Sequence, residues 1–206
     1  MSALAPEWIE WSVASRPLAG QSVSGDVSVV KPFRGGVLLA AIDGLGHGEE
    51  ACLAARTAAA VLNDHAEEPV IGLVRRCHKA LAGTRGAVMT VASLQTRDNT
   101  LTWIGIGNVE GRLMRAEARA NPPKESVLLR GGLVGYQLPA LDSSVVPVAT
   151  GDLLILATDG IHAGFQEEVS GRQRPRQIAE SVLGRHFKGT DDALVLVARY
   201  LGRPHE

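Results

Sequence analysis

Apolar residues in this chain come in runs of two kinds. "WIEWSVASRP" (8–17) and "DVSVVKPF" (26–33) carry β-branched and aromatic residues and predict strands. "GGVLLAAID" (35–43) is nearly continuous apolar sequence, which suits a strand buried on both faces. From Glu49 to about His65, "EEACLAARTAAAVLNDH" is rich in alanine and leucine and predicts a helix. Glu49 and Glu50 lie in its first turn, where the helix dipole favours negative charge. A second helix is expected in "PVIGLVRRCHKALAG", with Pro69 at its start and Gly83 near its end. Strands then dominate, at 87–95, 100–107 and 110–117. "TRDN" (96–99) is turn chemistry that joins the first two as a hairpin. "NPPKE" (121–125) reads as a loop and "SVLLR" (126–130) as a short strand. "DLLILATD" (152–159) repeats the form of 35–43, an apolar strand closed by aspartate and glycine. "RPRQIAESVLGRHF" (174–187) predicts a helix and "DALVLVARYL" (192–201) a last buried strand. With no repeat and no linker, residues 1–206 are expected to form one α/β or α+β domain on packed sheets.

Composition narrows the function classes. The 206 residues are 45% hydrophobic and 21% charged, ordinary for a globular chain, with a net charge of −1. No broad basic footprint for nucleic acid or anionic membrane is present. "MSALAPEWIEW" lacks the pattern of a signal peptide, and no apolar run is long enough to span a bilayer. Cys52 and Cys77 both fall in predicted helices, so they are expected to be buried, reduced thiols in a cytoplasmic protein.

The glycines of "AAIDGLGHGEEA" (40–51) suggest a phosphate cradle, but the pattern fails. A P-loop needs lysine and then Ser or Thr after its glycines; here Glu49 and Glu50 follow Gly48. The dinucleotide fingerprint from Gly44 meets glutamate at 49, and "GIGNVEG" (105–111) meets Glu110. What remains is an aspartate at a strand end. Four aspartates share that placement: Asp26 in "SGDVSVV", Asp43 in "AAIDGLGHG", Asp159 in "ILATDGIHAG" and Asp191 in "KGTDDALVLV". A carboxylate at a buried strand end is costly unless exposed in a cleft, hydrogen-bonded or bound to a cation. Antiparallel strands would bring two strand ends and two strand starts to one rim, an oxygen-rich site suited to Mg²⁺ or Mn²⁺.

These elements, in this order, resemble the metal-dependent PPM (PP2C-type) serine/threonine phosphatases, in the bacterial branch that includes SpoIIE, RsbU and RsbX. "SGD" (24–26), "DGLGHG" (43–48), "GIGN" (105–108), "GDLLILATDGI" (151–161) and "TDDALVLV" (190–197) carry the likeness, which runs from about residue 20 to 200. The resemblance implies an α+β fold, a four-layer αββα sandwich of two antiparallel sheets flanked by helices. It implies two Mn²⁺ or Mg²⁺ ions, held by Asp43, the Gly44 carbonyl, Asp159, Asp191 and, directly or through water, Asp26. Asp192 matches a supporting polar residue. Catalysis would run through metal-activated water attacking phosphorus in line, so no protein nucleophile is required.

The chain also departs from the family. Leu45 stands where eukaryotic members have a histidine, and His47 comes two positions later, so the general acid is unassigned. Leu194 replaces a frequent threonine, and neither Arg34 nor Arg130 matches the eukaryotic phosphate-binding arginine. The position of "SGD" leaves no room for a preceding sensor region, which points to RsbX-like members of the branch. The resemblance then implies a cytoplasmic monomer that dephosphorylates STAS-domain proteins of a bacterial stressosome, without nucleic acid or membrane partners. The alternatives are a phosphatase for an anti-anti-sigma factor or other phosphoprotein, and a non-catalytic phosphoprotein-binding PPM-like domain. Intact Asp43, Asp159 and Asp191 argue against the last. Residues 49–83 are the candidate regulatory surface.

Overall fold

The computed structural model describes residues 7–117 and 119–202. Eleven strands and three α-helices follow one another as β1 (Ile9–Arg16), β2 (Asp26–Phe33), β3 (Gly36–Gly44), α1 (Glu49–Asp64), α2 (Val70–Ala80), β4 (Ala87–Gln95), β5 (Thr100–Ile106), β6 (Glu110–Met114), β7 (Lys124–Ser126), β8 (Leu129–Arg130), β9 (Ser144–Pro147), β10 (Leu153–Ala157), α3 (Pro175–His186) and β11 (Ala193–Tyr200). A short 3₁₀ turn, Phe165–Glu168, precedes α3. One sheet has the order β1-β11-β10-β6-β7; the other has β2-β3-β4-β5-β8, with β9 also pairing to β5.

The apolar strands explain the layering. In β3, Val37, Leu39 and Ala41 point between the sheets, while Leu38, Ala40 and Ile42 point outward under α1 and α2. In β10 and β11, Leu154, Leu156, Leu194 and Leu196 fill the space between sheets, and Leu153, Ile155, Val195 and Val197 pack under α3. A strand covered on both sides has no need of alternation, which is why these segments read as unbroken apolar runs. The result is a four-layer αββα sandwich, α1 and α2 on one side and α3 on the other, as the resemblance implied. Ala54, Ala55 and Ala58 are fully buried on α1, so this helix lies close against its sheet.

Three details differ from the sequence reading. The expected single strand at 126–130 is two, β7 and β8, and β7 begins inside the expected loop at Lys124. β8 runs parallel to β5, so the sheets are not wholly antiparallel. β9, unforeseen because Ser144–Pro147 is short and three of its four residues are exposed, pairs with β5. The 96–99 hairpin forms as expected, with Gln95 opposite Thr100. No helix among the described residues is long and apolar enough to cross a membrane.

Candidate metal centre

The two apolar strands that end in Asp-Gly deliver their aspartates to the same end of the sandwich. β2 starts where β3 ends, and their antiparallel register makes Asp26 the direct partner of Asp43. β10 ends where β11 starts, and the Thr158 N–H donates to the Leu194 carbonyl at 3.0 Å, leaving Asp159 and Asp191 beside each other. Thr158 then joins the sheets. Its hydroxyl donates to Asp26 Oδ2 at 2.7 Å and accepts from the Leu194 N–H at 2.8 Å.

The glycines after the aspartates serve close approach. A Cβ on Gly44 would lie 2.0 Å from the Ala51 carbonyl oxygen, so only glycine lets the first turns of α1 press against the end of β3. A Cβ on Gly160 would lie 1.9 Å from the Asp192 carbonyl oxygen. Gly46 and Gly48 differ from these, since their φ values of 86° and 79° belong to the left-handed region. They turn the chain into α1, and Glu49 and Glu50 occupy its first turn as expected. Arg85, which the sequence reading did not single out, closes over this turn with Nε 2.5 Å from Glu50 Oε2.

Five acidic residues act on one another here. Asp43 is pushed up to about 8, first by burial and then by the charges of Asp26, Asp159, Asp191 and Asp192. Asp26 is pushed up to about 7 by burial and by Asp192, Asp159 and Asp191, against the hydrogen bond from Thr158. Asp159 is raised by burial and Asp191, and relieved in part by Lys188 and by Asn108. Asn108 Nδ2 donates to Asp159 Oδ2 at 2.8 Å, and Lys188 Nζ donates to the Asp159 carbonyl at 2.6 Å. Asp192 has a different task. Its carboxylate accepts the N–H groups of Leu18 at 2.7 Å and Gly25 at 2.6 Å, tying the segment before β2 to the start of β11.

Burial of like charges with no paired cation is the chemical condition that a divalent ion relieves, and an all-oxygen donor set suits a hard one. The carboxylates stand around the rim: among the described residues no three His, Cys, Asp or Glu side chains are gathered closely enough to enclose an ion as they stand. The all-carboxylate donor chemistry nonetheless fits hard divalent ions. His47 and Leu45 are exposed beside the cleft. Arg130 pairs with Asp142 at 3.1 Å, and Arg34 is exposed just before β3. Thr158, Asn108 and Lys188 are the supporting residues that sequence reasoning missed as such. Two of them lay inside quoted motifs, "GIGN" and "ATDG", where their adjacency to the aspartates was the available signal.

Comparison with known proteins follows the same lines. The sequence profile of the SpoIIE family (stage II sporulation protein E) matches residues 34–201. Phosphoserine phosphatase RsbX of Bacillus subtilis (strain 168) is 28% identical over 90 residues, 44% of this chain and 45% of that protein, so the match spans just under half of its length. A chain solved in work on the bacterial stressosome, as a modular system adapted to control secondary messenger signaling, superposes with a TM-score of 0.84 at 28% identity. That match covers 93% of this chain and 99% of the other. RsbX in complex with magnesium superposes with a TM-score of 0.85 at 21% identity, over 95% and 97% of the two chains, a likeness of fold.

Proposed function

The chain belongs to the SpoIIE family, and from that premise we propose that it is a metal-dependent protein serine/threonine phosphatase of the RsbX kind. Its substrate in this reading is a phosphorylated STAS-domain protein of a bacterial stress-signalling complex. The observation that carries the reading is the meeting of Asp26, Asp43, Asp159 and Asp191 at one end of the sandwich, none of them in a direct ion pair among the described residues. The names of the relatives, a phosphoserine phosphatase and a stressosome chain, support the substrate class.

Asp43, Asp159, Asp191, Asp26 and the Gly44 carbonyl would hold two Mn²⁺ or Mg²⁺ ions. When bound, such ions supply Lewis-acid activation of water and neutralise charge on the phosphoryl oxygens. The chain's own residues prepare the ligands. Thr158 orients the Asp26 carboxylate, Asn108 orients that of Asp159, and Asp192 fixes the backbone before β2. No side-chain nucleophile takes part: Cys52 and Cys77 are buried in helices, and burial pushes the Cys77 thiol up to about 12. The 206 residues act as one domain, a cytoplasmic monomer, in this account.

Incubation with a phosphorylated STAS-domain protein and Mn²⁺, with and without chelator, tests the reading. Release of phosphate that stops on chelation is expected. Release that survives chelator would remove the metal mechanism. Hydrolysis of a generic phosphate ester but not of STAS-domain phosphoproteins would keep the mechanism and redirect the substrate to an anti-anti-sigma factor or another phosphoprotein.

A further inference from the structure

Lys188 occupies the wall of the cleft beside Asp159. This cavity, of about 280 Å³, is lined among others by Asn108, Glu110, Thr158, Asp159, Phe165 and Lys188. An exposed lysine ordinarily extends its ammonium into water. Here the side chain folds back, and Nζ donates to the Asp159 carbonyl at 2.6 Å. The backbone beneath it is anchored as well. The Lys188 N–H donates to the Gly160 carbonyl at 2.9 Å, and the preceding Phe187 pairs with Ile161. Lys188 is thus clasped to the Asp159–Gly160 turn at two points.

The charge on this clasp acts on the nearby Asp159 carboxylate without a direct ion pair to it. An ammonium has three donors, and the Asp159 carbonyl takes one. Among the described residues Lys188 forms no ion pair. Glu110, the other acid in the cavity wall besides Asp159, is taken by Arg112 at 2.9 Å. A phosphoryl dianion approaching this cleft meets several carboxylates, and a positioned cation on one wall offsets that repulsion.

We propose that Lys188 is the phosphoryl-binding cation of the cleft, its ammonium held by the Asp159 carbonyl and its free donors directed to an oxygen of the substrate's phosphate. This rests on the phosphatase reading of the same site. The contribution is binding and electrostatic; no bond is made or broken at the lysine.

Two variants separate charge from tether. Lys188→Gln keeps a donor for the Asp159 carbonyl and removes the charge; Lys188→Arg keeps the charge. With Mn²⁺ and p-nitrophenyl phosphate, Lys188→Gln raises KM and the inhibition constant of inorganic phosphate by about tenfold. Lys188→Arg recovers most of that loss. The thermal midpoint stays at the wild-type value, and any shift in the Mn²⁺ concentration for half-maximal rate is smaller than the shift in KM. Unchanged KM and phosphate inhibition in Lys188→Gln would overturn the proposal. So would a change confined to Mn²⁺ half-saturation, which would make Lys188 a support for Asp159 alone. If the wild type does not hydrolyse the ester, the phosphatase reading fails separately. Calorimetric titration of the Mn²⁺-loaded protein with inorganic phosphate then decides: binding weakened in Lys188→Gln supports the site, while equal binding, or none by the wild type, overturns it.

Discussion

Strand β10 has an aspartate beyond each end, and their surroundings are opposite. Asp152, before its first residue, is 2% exposed and fully answered. Arg115 reaches its Oδ2 at 2.9 Å, the Ala149 N–H donates to the same oxygen at 3.0 Å, and the Ala116 N–H donates to Oδ1 at 2.8 Å. Arg115 also holds Glu125 and the Pro147 carbonyl, so charges and donors there balance within the chain. Asp159, at the other end, receives one side-chain hydrogen bond, from Asn108, and faces Asp191 and Asp43. A buried carboxylate with its own guanidinium is structure that is complete. A group of carboxylates that lack one is structure that depends on something from solution.

The largest break in this comparison is Asp43→Asn. It should lower metal-dependent phosphatase activity roughly a thousandfold, through the several kcal/mol that metal ions contribute. In chelator the same change should stabilise the fold, because it removes a buried like charge. The pH dependence has a definite sign. Asp43 and Asp26 have folded values of about 8 and 7, above the ordinary 3.8, so the folded state binds more protons than the unfolded one. Without metal, their contribution to stability is present at about pH 4 and is lost as pH rises through about 8. Denaturation across that range should show a falling slope that is shallower in Asp43→Asn. A slope equal to that of the wild type would show that the cluster carries no such strain.

Asp152→Ala should do the reverse. Leaving Arg115 short of a buried partner costs about 3 kcal/mol in urea unfolding, while the folded fraction keeps its metal-dependent rate. A large loss of rate in folded Asp152→Ala would mean that the two ends of β10 are not separate in role. The smallest effect is expected for Asn108→Ala, which removes only the bond orienting Asp159. Apparent Mn²⁺ affinity, read from the activation curve, should fall by about tenfold with stability nearly unchanged. An unaltered activation curve would place Asn108 outside the metal's support.

Much of this site was legible before any coordinates. Asp26, Asp43, Asp159 and Asp191 stand out because each borders an apolar strand, where a carboxylate is conspicuous by its cost. The Asp-Gly pairs were also visible, though the need for glycine was not. At Gly44 and Gly160 it comes from the approach of Ala51 and Asp192, which follow in the chain by different distances and leave no common spacing. Lys188 carried no signal, because a lysine in a loop reads as solvated surface until its carbonyl acceptor is known.

The sequence by itself determined the helices, the long strands and which strands lie in the middle of four layers, though not the short edge strands β7, β8 and β9. Those properties are local: an apolar run such as 36–42 is buried on both faces wherever it lands, and an alanine-rich segment such as 51–62 makes a helix that packs closely. Only the tertiary structure decided that Asp26 faces Asp43, that Thr158 reaches Asp26 across 132 positions, and that Asp192 grips Leu18 across 174. Strand register and sheet-to-sheet contacts set these distances, and they depend on how all layers pack together, so no single stretch of chain encodes them.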